Sequence, residues 1–371
     1  DSLKIFTDLG AGQQALLEEH GLSADGVLII DHHVSQPCGT AYPQVNCLDF
    51  GITRMSAAGI AYMVARAIDS ANTDLAKLAA VGNVGDMMAR ENCGLVGPAR
   101  EIVQDGVEYG NIIVQRADLN CYGISTRPLH VCLGRCDDPY IDGISNSVTR
   151  ALRFLERLGV TLKTPRGGWL VWEEVPLDDR RTIISALTQQ LIAHGREADR
   201  LLAETYIFPD EPERTALRNA SEYATLLNAC GRWAKPKVGG RICRGDRGDA
   251  YREAEYMLAH HRSVIRGLLQ YILETGVTEL SHLQYIHTGD RFPDTIVGIG
   301  AGMALSKLNW KKPIMVLAAM VDEPDVTKVS MRTNEWALAR GVDLQAALVE
   351  ASATVGGAGG GHRIAAGAFI P

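Results

Sequence analysis

The chain has 371 residues, of which 46% are hydrophobic and 22% are charged. This length is enough for two or three domains and excludes a single small module. No apolar run approaches the roughly 18 residues that a membrane span requires, so we expect a protein with no membrane partner. The formal net charge of −7 argues against nonspecific coating of nucleic acid, although it is compatible with an enzyme that has a local basic groove.

The first 118 residues alternate short apolar runs with helical patterns. The runs LKIF and VLII come before Asp8 and Asp31, and helical patterns follow in QQALLEEHG, MSAAGIAYMVARAI and LAKLAAVGNVGDMM. Strands that alternate with helices predict a parallel sheet with helices on its faces. Because ligands of such folds bind beyond the carboxyl ends of the strands, Asp8 and Asp31 are expected near a site.

The rest of the chain divides into a middle α/β region, 119–248, and a smaller C-terminal α/β domain, 249–371. In the middle region, WLVWEEVPLDDRRTIISALTQQLIAHG predicts a short strand and then a helix that Asp178 or Asp179 caps. Apolar spacing of three and four predicts one long linker helix over residues 249–275. Further strands are expected in TIVGIGAGMAL and PIMVLAAMV, and a helix in DLQAALVEASATV.

Eight cysteines are scattered along the chain, which is too large to need disulfide bonds for stability. We expect reduced thiols in a cytoplasmic protein, and no signal-peptide pattern is visible. Cys132 and Cys136 have a CxxxC spacing without a partner pair, so a zinc site there has little support.

The residues Asp31, His32 and His33 follow the apolar run VLII directly, while Asp8 and Asp86 follow another apolar run and a glycine turn. Carboxylate oxygens and imidazole nitrogens without thiolates suit Mn²⁺ or Mg²⁺, and the mixed set favours Mn²⁺. Hydrolysis at phosphorus commonly uses two such ions. Taken alone, Asp8 could be a helix N-cap and either histidine a surface or core residue, but their joint occurrence favours a metal site.

A glycine-rich segment near the end of the chain, GGAGGGHRIAAGA, is the second candidate site. Its glycines would let backbone N–H groups approach an anion, and a following helix would add its positive N-terminal end. A flexible linker is the alternative, although linkers seldom end in His-Arg before an apolar run. Upstream, Arg332 is a candidate phosphate clamp or, alternatively, an exposed arginine. The residues of this segment considered for phosphate binding are Gly356, Gly357, Gly359, Gly360, Gly361, His362 and Arg363.

Two other patterns are better explained by packing or exposure. His260 and His261 are adjacent in the predicted linker helix, where neighbours do not face each other, so a metal site is not expected. The run GIGAGMA lacks the GxGxxG spacing of a dinucleotide-binding loop, and close packing explains it better.

Four motifs, in order, resemble those of the DHH phosphoesterase superfamily with its DHH-associated C-terminal domain: FTDLG, LIIDHH, AVGNVGDMM, and SMR with GGGH. The middle segments RPLHVCLGRCDDPYIDGIS, EYATLLNACGRW and VGGRICRGD are similar to the archaeal RecJ-like single-strand-specific exonucleases. The resemblance implies an N-terminal DHH domain, a C-terminal substrate-binding domain and a metal-filled cleft between them.

The resemblance also implies roles for single residues. Asp8 would bridge two metal ions, His32 and Asp86 would bind one ion, and His33 would be a ligand or a phosphate contact. Asp31 would orient a histidine by holding its tautomer. Substrate phosphates would be held by Arg332, Gly359, Gly360, Gly361 and His362.

One motif of the family is absent. An aspartate-rich strand end should precede Asp8 by tens of residues, yet only seven residues precede it here. Either the chain is truncated or it is a degenerate scaffold. We expect truncation, because a scaffold without catalytic constraint has little reason to keep Asp31, His32, His33 and Asp86 together.

The function expected from these features is stepwise, Mn²⁺-dependent hydrolysis of single-stranded DNA or RNA in replication, repair or RNA turnover. One alternative is a phosphoesterase for small molecules or short oligonucleotides, which the large middle region disfavours. The other is a replisome scaffold that binds GINS and the helicase, which the absent motif favours. Five basic residues are expected either to contact the backbone of the nucleic acid or merely to form a solvated charged face: Arg232, Lys235, Lys237, Arg241 and Arg244.

Overall fold

The computed structural model describes residues 2–36, 38–320, 323 and 325–371. The chain divides into two compact units, Asp1–Leu226 and Leu227–Pro371. The architecture is mixed α/β in both units, as the sequence predicts. The finer division at residues 118 and 248 stays a prediction. Among the described residues, no helix is both long and apolar enough to cross a membrane.

The first unit begins with a three-stranded parallel sheet of β1 (Lys4–Thr7), β2 (Val27–Asp31) and β3 (Gln44–Asn46), in that order. The central strand β2 is the most buried, since an apolar run suits a strand covered on both faces. Thr7 pairs with Ile30, and Asp31 pairs with Asn46. The carboxyl ends of the three strands therefore meet at one edge, as predicted for the strands in LKIF and VLII.

Helices α1 (Gln14–Glu19), α2 (Ala57–Ile68), α3 (Ala76–Gly85) and α4 (Pro98–Tyr109) accompany this sheet. Ser56 caps α2 by accepting a hydrogen bond from the Gly59 N–H, 3.3 Å. Helix α2 can approach α3 closely because Gly82 has no side chain, and a Cβ there would overlap Ala58. Asp86 comes directly after α3, so it follows a helix and not a strand.

The remainder of the first unit is largely helical around one antiparallel strand pair. Its elements are β4 (Ile113–Leu119), α5 (Leu129–Gly134), α6 (Val148–Leu158), α7 (Leu177–Ala193), β5 (Leu202–Ile207) and α8 (Ala220–Arg232), the last of which runs past Leu226. Trp172 is buried in an apolar cluster that includes Leu133, Leu155 and Leu187, and its indole N–H donates to Asp118.

The short strand expected in WLVWEE is wrong. An isolated bridge joins Lys163 to Trp169, and residues Trp172–Glu174 form a 3₁₀ turn. The following helix α7 does form, but Pro176 occupies the N-cap position. Asp178 and Asp179 lie in the first turn. Their negative charges stabilise the helix by interacting with its positive N-terminal end, but they do not cap it.

The second unit contains a six-stranded sheet in the order β10-β11-β9-β8-β7-β6, in which only β7 and β8 are parallel to each other. Apolar residues on one face of β8 pack with the helices α10 and α11, and those on the other face contact the cluster that contains α13. The elements are α9 (Pro236–Cys243), α10 (Asp249–Thr275), β6 (Thr278–Glu279), β7 (Gln284–His287), α11 (Asp294–Leu305), β8 (Ile314–Ala319), β9 (Thr327–Arg332), α12 (Glu335–Leu338), α13 (Leu344–Thr354), β10 (Ala358–His362) and β11 (Ala365–Ile370).

The long linker helix, the strand in PIMVLAAMV and the helix in DLQAALVEASATV are confirmed as α10, β8 and α13. Asp343 caps α13 by accepting from the Ala346 N–H, 3.0 Å. Two expectations are wrong. TIVGIGAGMAL lies in helix α11, and no helix follows the glycine-rich segment directly, because that segment forms β10 and turns back into β11.

Candidate metal centre

Asp31 is the last residue of β2 and is completely buried. Its Oδ2 accepts the Ala11 N–H at 3.0 Å, and its Oδ1 accepts the His32 N–H at 2.8 Å. Oδ1 also lies 2.8 Å from Nδ1 of His33. Burial raises the pKa of this carboxyl, but the hydrogen bonds from His33, Ala11 and His32 outweigh it and lower the pKa overall.

The contact with Asp31 fixes the His33 ring. When Nδ1 donates to the carboxylate, the neutral imidazole carries its lone pair on Nε2, the nitrogen that can bind a metal ion. The main chain of His33 is held as well, because the Asn46 side-chain amide donates to its carbonyl at 2.8 Å. Asn46 ends β3 beside Asp31, so the parallel sheet itself positions this histidine.

His32 lies between two carboxylates. Its Nε2 is 3.2 Å from Oδ1 of Asp8 and 3.4 Å from Oδ2 of Asp86. The imidazole is largely buried, with 8% of its side chain exposed, whereas Asp8 and Asp86 are 66% and 41% exposed. The hydrogen bond to Asp8 raises the pKa of His32 against the opposing effect of burial, and the charge of Asp86 adds to the rise.

A left-handed backbone conformation occurs at Asp8 and directly after Asp86. Asp8 follows β1 with a φ of 65°, while its N–H continues the sheet by donating to the Ile30 carbonyl at 3.0 Å. Asp86 ends helix α3, and the next residue, Met87, has a φ of 63°. Non-glycine residues seldom adopt left-handed conformations, and those that do occur often at functional sites.

The five predicted residues are thus brought together. One possible ligand atom each from Asp8, Asp31, His32 and His33 lie within 4.8 Å of one another, and Asp86 joins them through His32. The oxygen and nitrogen donors fit a hard or borderline divalent ion. Because four hydrogen-bond donors already engage Asp31, the more exposed Asp8 and Asp86 are better placed to hold an ion.

In the second unit, Arg332 ends β9 and packs against helix α11. Its Nη1 donates to the Met331 carbonyl at 2.7 Å, and a Cβ at Gly298 would overlap its Nη2. A Cβ at Gly300, on another side of α11, would overlap Leu268. The glycines of GIGAGMA therefore serve close packing, as the sequence suggests.

The glycines near the C-terminus also have packing roles. A Cβ at Gly359 would lie 2.6 Å from the Leu348 carbonyl oxygen, and one at Gly361, where φ is 127°, would lie 2.7 Å from that of Ala365. A Cβ at Gly360 would instead enter open space. Strand pairing sets His362 opposite Ala365, which is opposite Arg332, so His362 and Arg332 occupy one row of the sheet.

The remaining candidates are dispersed. His261 is buried, whereas His260 is exposed and contacts the Trp233 ring with centroids 4.8 Å apart, so the two imidazoles do not form a pair. Arg241 pairs with Asp246 at 2.6 Å. Two residues near the sites were missed from the sequence, Asn46 and Lys328. The signal for each was a polar side chain in a strand, but its neighbours come from distant parts of the chain.

Comparison with known proteins identifies two domains in this chain. Residues 121–203 match the DHH-CID domain and residues 282–371 match the DHHA1 domain. The uncharacterized protein MJ0831 of Methanocaldococcus jannaschii is 26% identical and is aligned over 99% of this chain and 77% of its own length.

Two solved structures share the fold over 100% of this chain. RecJ in complex with Mn²⁺ from Thermus thermophilus has a TM-score of 0.52 at 16% identity, and the chain covers 42% of it. CDC45 from Entamoeba histolytica has a TM-score of 0.61 at 10% identity, with 81% of it covered. The two domain matches relate the chain to the DHH superfamily. The solved structures show that the chain shares the fold of RecJ and of CDC45.

Proposed function

We propose that this protein is a metal-dependent phosphodiesterase that removes nucleotides stepwise from single-stranded DNA or RNA. The observation that carries the proposal is the position of His32, whose Nε2 lies 3.2 Å and 3.4 Å from carboxylate oxygens of Asp8 and Asp86. A structural histidine needs one partner, whereas a nitrogen between two partly exposed carboxylates forms a set of donors for a cation.

Asp8, His32, His33 and Asp86 would hold Mn²⁺, in two ions, with Mg²⁺ as the alternative. Such ions supply Lewis-acid activation of the phosphoryl group and of water. Asp31 keeps the His33 ring in one orientation through Nδ1, and Nε2 is the nitrogen that would bind the ion. The positive guanidinium of Arg332 and the imidazole of His362 would hold substrate phosphates, next to the open space at Gly360.

The test is hydrolysis of end-labelled single-stranded DNA and RNA with Mn²⁺, using this chain and a form extended at its N-terminus. We expect shortening products from at least one of the two forms. Replacement of His32 or Asp86 by alanine in the active form should abolish hydrolysis, while His20→Ala, at an exposed position, should not. Full activity of His32→Ala would refute the proposed metal centre.

A second candidate is a scaffold role in the replisome, in which the protein binds GINS. The fold shared with CDC45 is the observation in its favour. Stable capture of a purified GINS subunit by the extended form, together with no hydrolysis under any metal condition, would decide for the scaffold. Comparing hydrolysis of a long strand with that of a dinucleotide would separate the exonuclease from a small-molecule phosphoesterase.

A further inference from the structure

The strand β9 carries two cations on one face. Lys328, Ser330 and Arg332 alternate with Val329 and Met331, which belong to the apolar cluster that contains α13 residues. Contacts confirm the orientation of the polar set. A Cβ at Gly298 of α11 would overlap the Arg332 guanidinium and would lie 3.4 Å from the Ser330 hydroxyl oxygen. Lys328 and Arg332 therefore share the face of the sheet that borders α11.

A third cation belongs to the same cluster. Arg232, at the end of α8, donates from Nη1 to the Thr295 carbonyl at 3.0 Å, and the Thr295 hydroxyl donates back to the Arg232 carbonyl at 2.9 Å. This pair of hydrogen bonds fixes Arg232 at the first turn of α11. The positive charge of Arg232 acts on both Lys328 and Arg332.

The three cations are poorly compensated. In the part of the chain that the structure describes, none of them forms an ion pair, and the carboxylate that attracts Lys328 is that of Asp294. Burial lowers the pKa of Lys328 and of Arg332, and the charge of Arg232 lowers both further. Gathering three like charges in a partly buried place is unfavourable unless an anion joins them.

The neighbouring surface leaves room for an anion. Ser330 pairs with Gly367, which pairs with Gly360, so glycines extend this row across two further strands. A Cβ at Gly367 would lie 3.4 Å from Nζ of Lys328, and one at Gly360 would meet open space. The Lys328 ammonium lies 3.6 Å from the centre of the Phe369 ring, which holds the side chain over this glycine surface.

We propose that Lys328 and Arg232 form, with Arg332, a site that binds successive backbone phosphates of a single nucleic-acid strand. The inference rests on the proposed function and assigns it two further phosphate-binding residues. Arg332 and Lys328 are four positions apart on an extended strand, about 13 Å at the backbone, so the cations border a length of strand instead of one point. The glycine surface between them would let the strand lie close to the sheet.

The site can be tested without catalysis, in EDTA, so that failure of the metal centre does not affect the result. Binding of inorganic phosphate and of a short fluorescein-labelled oligothymidylate is measured with the full chain at fixed ionic strength. The variants are Lys328→Met, which keeps the alkyl contact with Phe369, and Arg232→Gln. Lys328→Arg keeps the positive charge that Lys328→Met removes. Lys307→Met is the control, because it removes an equal charge from an exposed position of the same unit.

We expect Lys328→Met and Arg232→Gln each to weaken binding of both probes by about tenfold or more, because each removes a charge-assisted contact. Lys328→Arg should restore most of the affinity, and Lys307→Met should change it less than about twofold. Equal losses from Lys307→Met and Lys328→Met would show nonspecific attraction and overturn the proposal. Weakened phosphate binding with unchanged oligothymidylate binding would overturn the assignment to a strand, and no loss in either variant would overturn the site.

Discussion

The guanidinium of Arg332 occupies the space that a side chain at Gly298 would need. Gly302 lies one turn further along α11, and there only the aliphatic part of the Arg332 side chain is near. A Cβ at Gly302 would lie 3.8 Å from Cγ of Arg332, an ordinary contact distance. A methyl group at Gly298 would therefore collide with Arg332, whereas one at Gly302 would not. Alanine variants at these two positions form a matched pair.

Gly298→Ala should displace the Arg332 guanidinium and weaken phosphate binding by about tenfold, since a charge-assisted contact loses its geometry. Gly302→Ala should leave phosphate binding unchanged and raise the free energy of unfolding by about 0.5–1 kcal/mol, because alanine is the better helix former. Calorimetric titration with inorganic phosphate and urea unfolding of both variants check this prediction. Equal binding by the two variants would show that Arg332 does not contact the anion.

Asp31→Asn should destabilise the protein by about 1–3 kcal/mol, because an amide NH₂ would replace an oxygen that accepts buried hydrogen bonds. It should also weaken Mn²⁺ binding, since the His33 ring loses the negative charge of its hydrogen-bond partner. Urea unfolding and titration with Mn²⁺ monitored by electron paramagnetic resonance measure the two effects. Asp25→Asn, at an exposed position, is the control and should change neither quantity. Unaltered Mn²⁺ affinity in Asp31→Asn would contradict the orienting role.

Lys77 is a buried cation between two acids, with Nζ 2.6 Å from Oδ2 of Asp210 and 2.7 Å from Oε1 of Glu211. Lys77→Met should cost about 3–5 kcal/mol of unfolding free energy, because it removes the ammonium that lies 2.7 Å from the buried Glu211 carboxylate. Lys312→Met, which breaks the more exposed pair with Glu279, should cost less than about 1 kcal/mol. Urea unfolding at neutral pH measures both, and similar costs would show that burial of Glu211 is incomplete.

His261 should make stability depend on pH. Burial lowers its pKa in the folded protein, and the charges of Arg232 and Arg262 lower it further. The stabilisation that comes from keeping His261 neutral is therefore fully present above about pH 6.5, the pKa of histidine in the unfolded chain. It is lost as the pH falls from there towards the lower pKa that His261 has in the folded protein. In this window the unfolded chain takes up a proton that the folded chain excludes, and stability falls by at most about 1.4 kcal/mol per pH unit.

His261→Gln should flatten the decline in unfolding free energy as the pH falls below about 6.5. Urea unfolding at several pH values measures the slope for the variant and for the native chain. His20→Gln removes an exposed imidazole and should leave the slope unchanged. An identical slope in His261→Gln would mean that other groups account for the pH dependence.

The candidate metal centre was largely predictable because its residues follow local signals. Asp8 and Asp31 come after apolar runs, and carboxyl ends of parallel strands meet at one edge whatever the rest of the chain does. Asp86 reaches the same place from a helix, which the strand-end rule does not foresee. Asn46 was missed because its importance arises from pairing with Asp31 across the sheet.

The C-terminal unit was less predictable. TIVGIGAGMAL is buried on more than one side, against Leu268 and against Arg332, so it lacks the one-sided apolar pattern of a surface helix. The glycine-rich segment forms a strand that pairs with β11. Side chains at Gly359 and Gly361 would overlap the carbonyl oxygens of Leu348 in α13 and Ala365 in β11. Such constraints come from the assembled sheet and leave no trace in local spacing.

The left-handed backbone at Asp8 and at Met87 bears on how fast a metal ion is captured. Folding of the sheet and of α3 imposes these conformations, which direct the carboxylates of Asp8 and Asp86 towards His32. If these residues hold an ion, as proposed, we expect its binding to need no slow rearrangement of the main chain. The association rate should follow the water-exchange rate of the ion, with Mn²⁺ entering faster than Mg²⁺, which releases its hydration shell reluctantly.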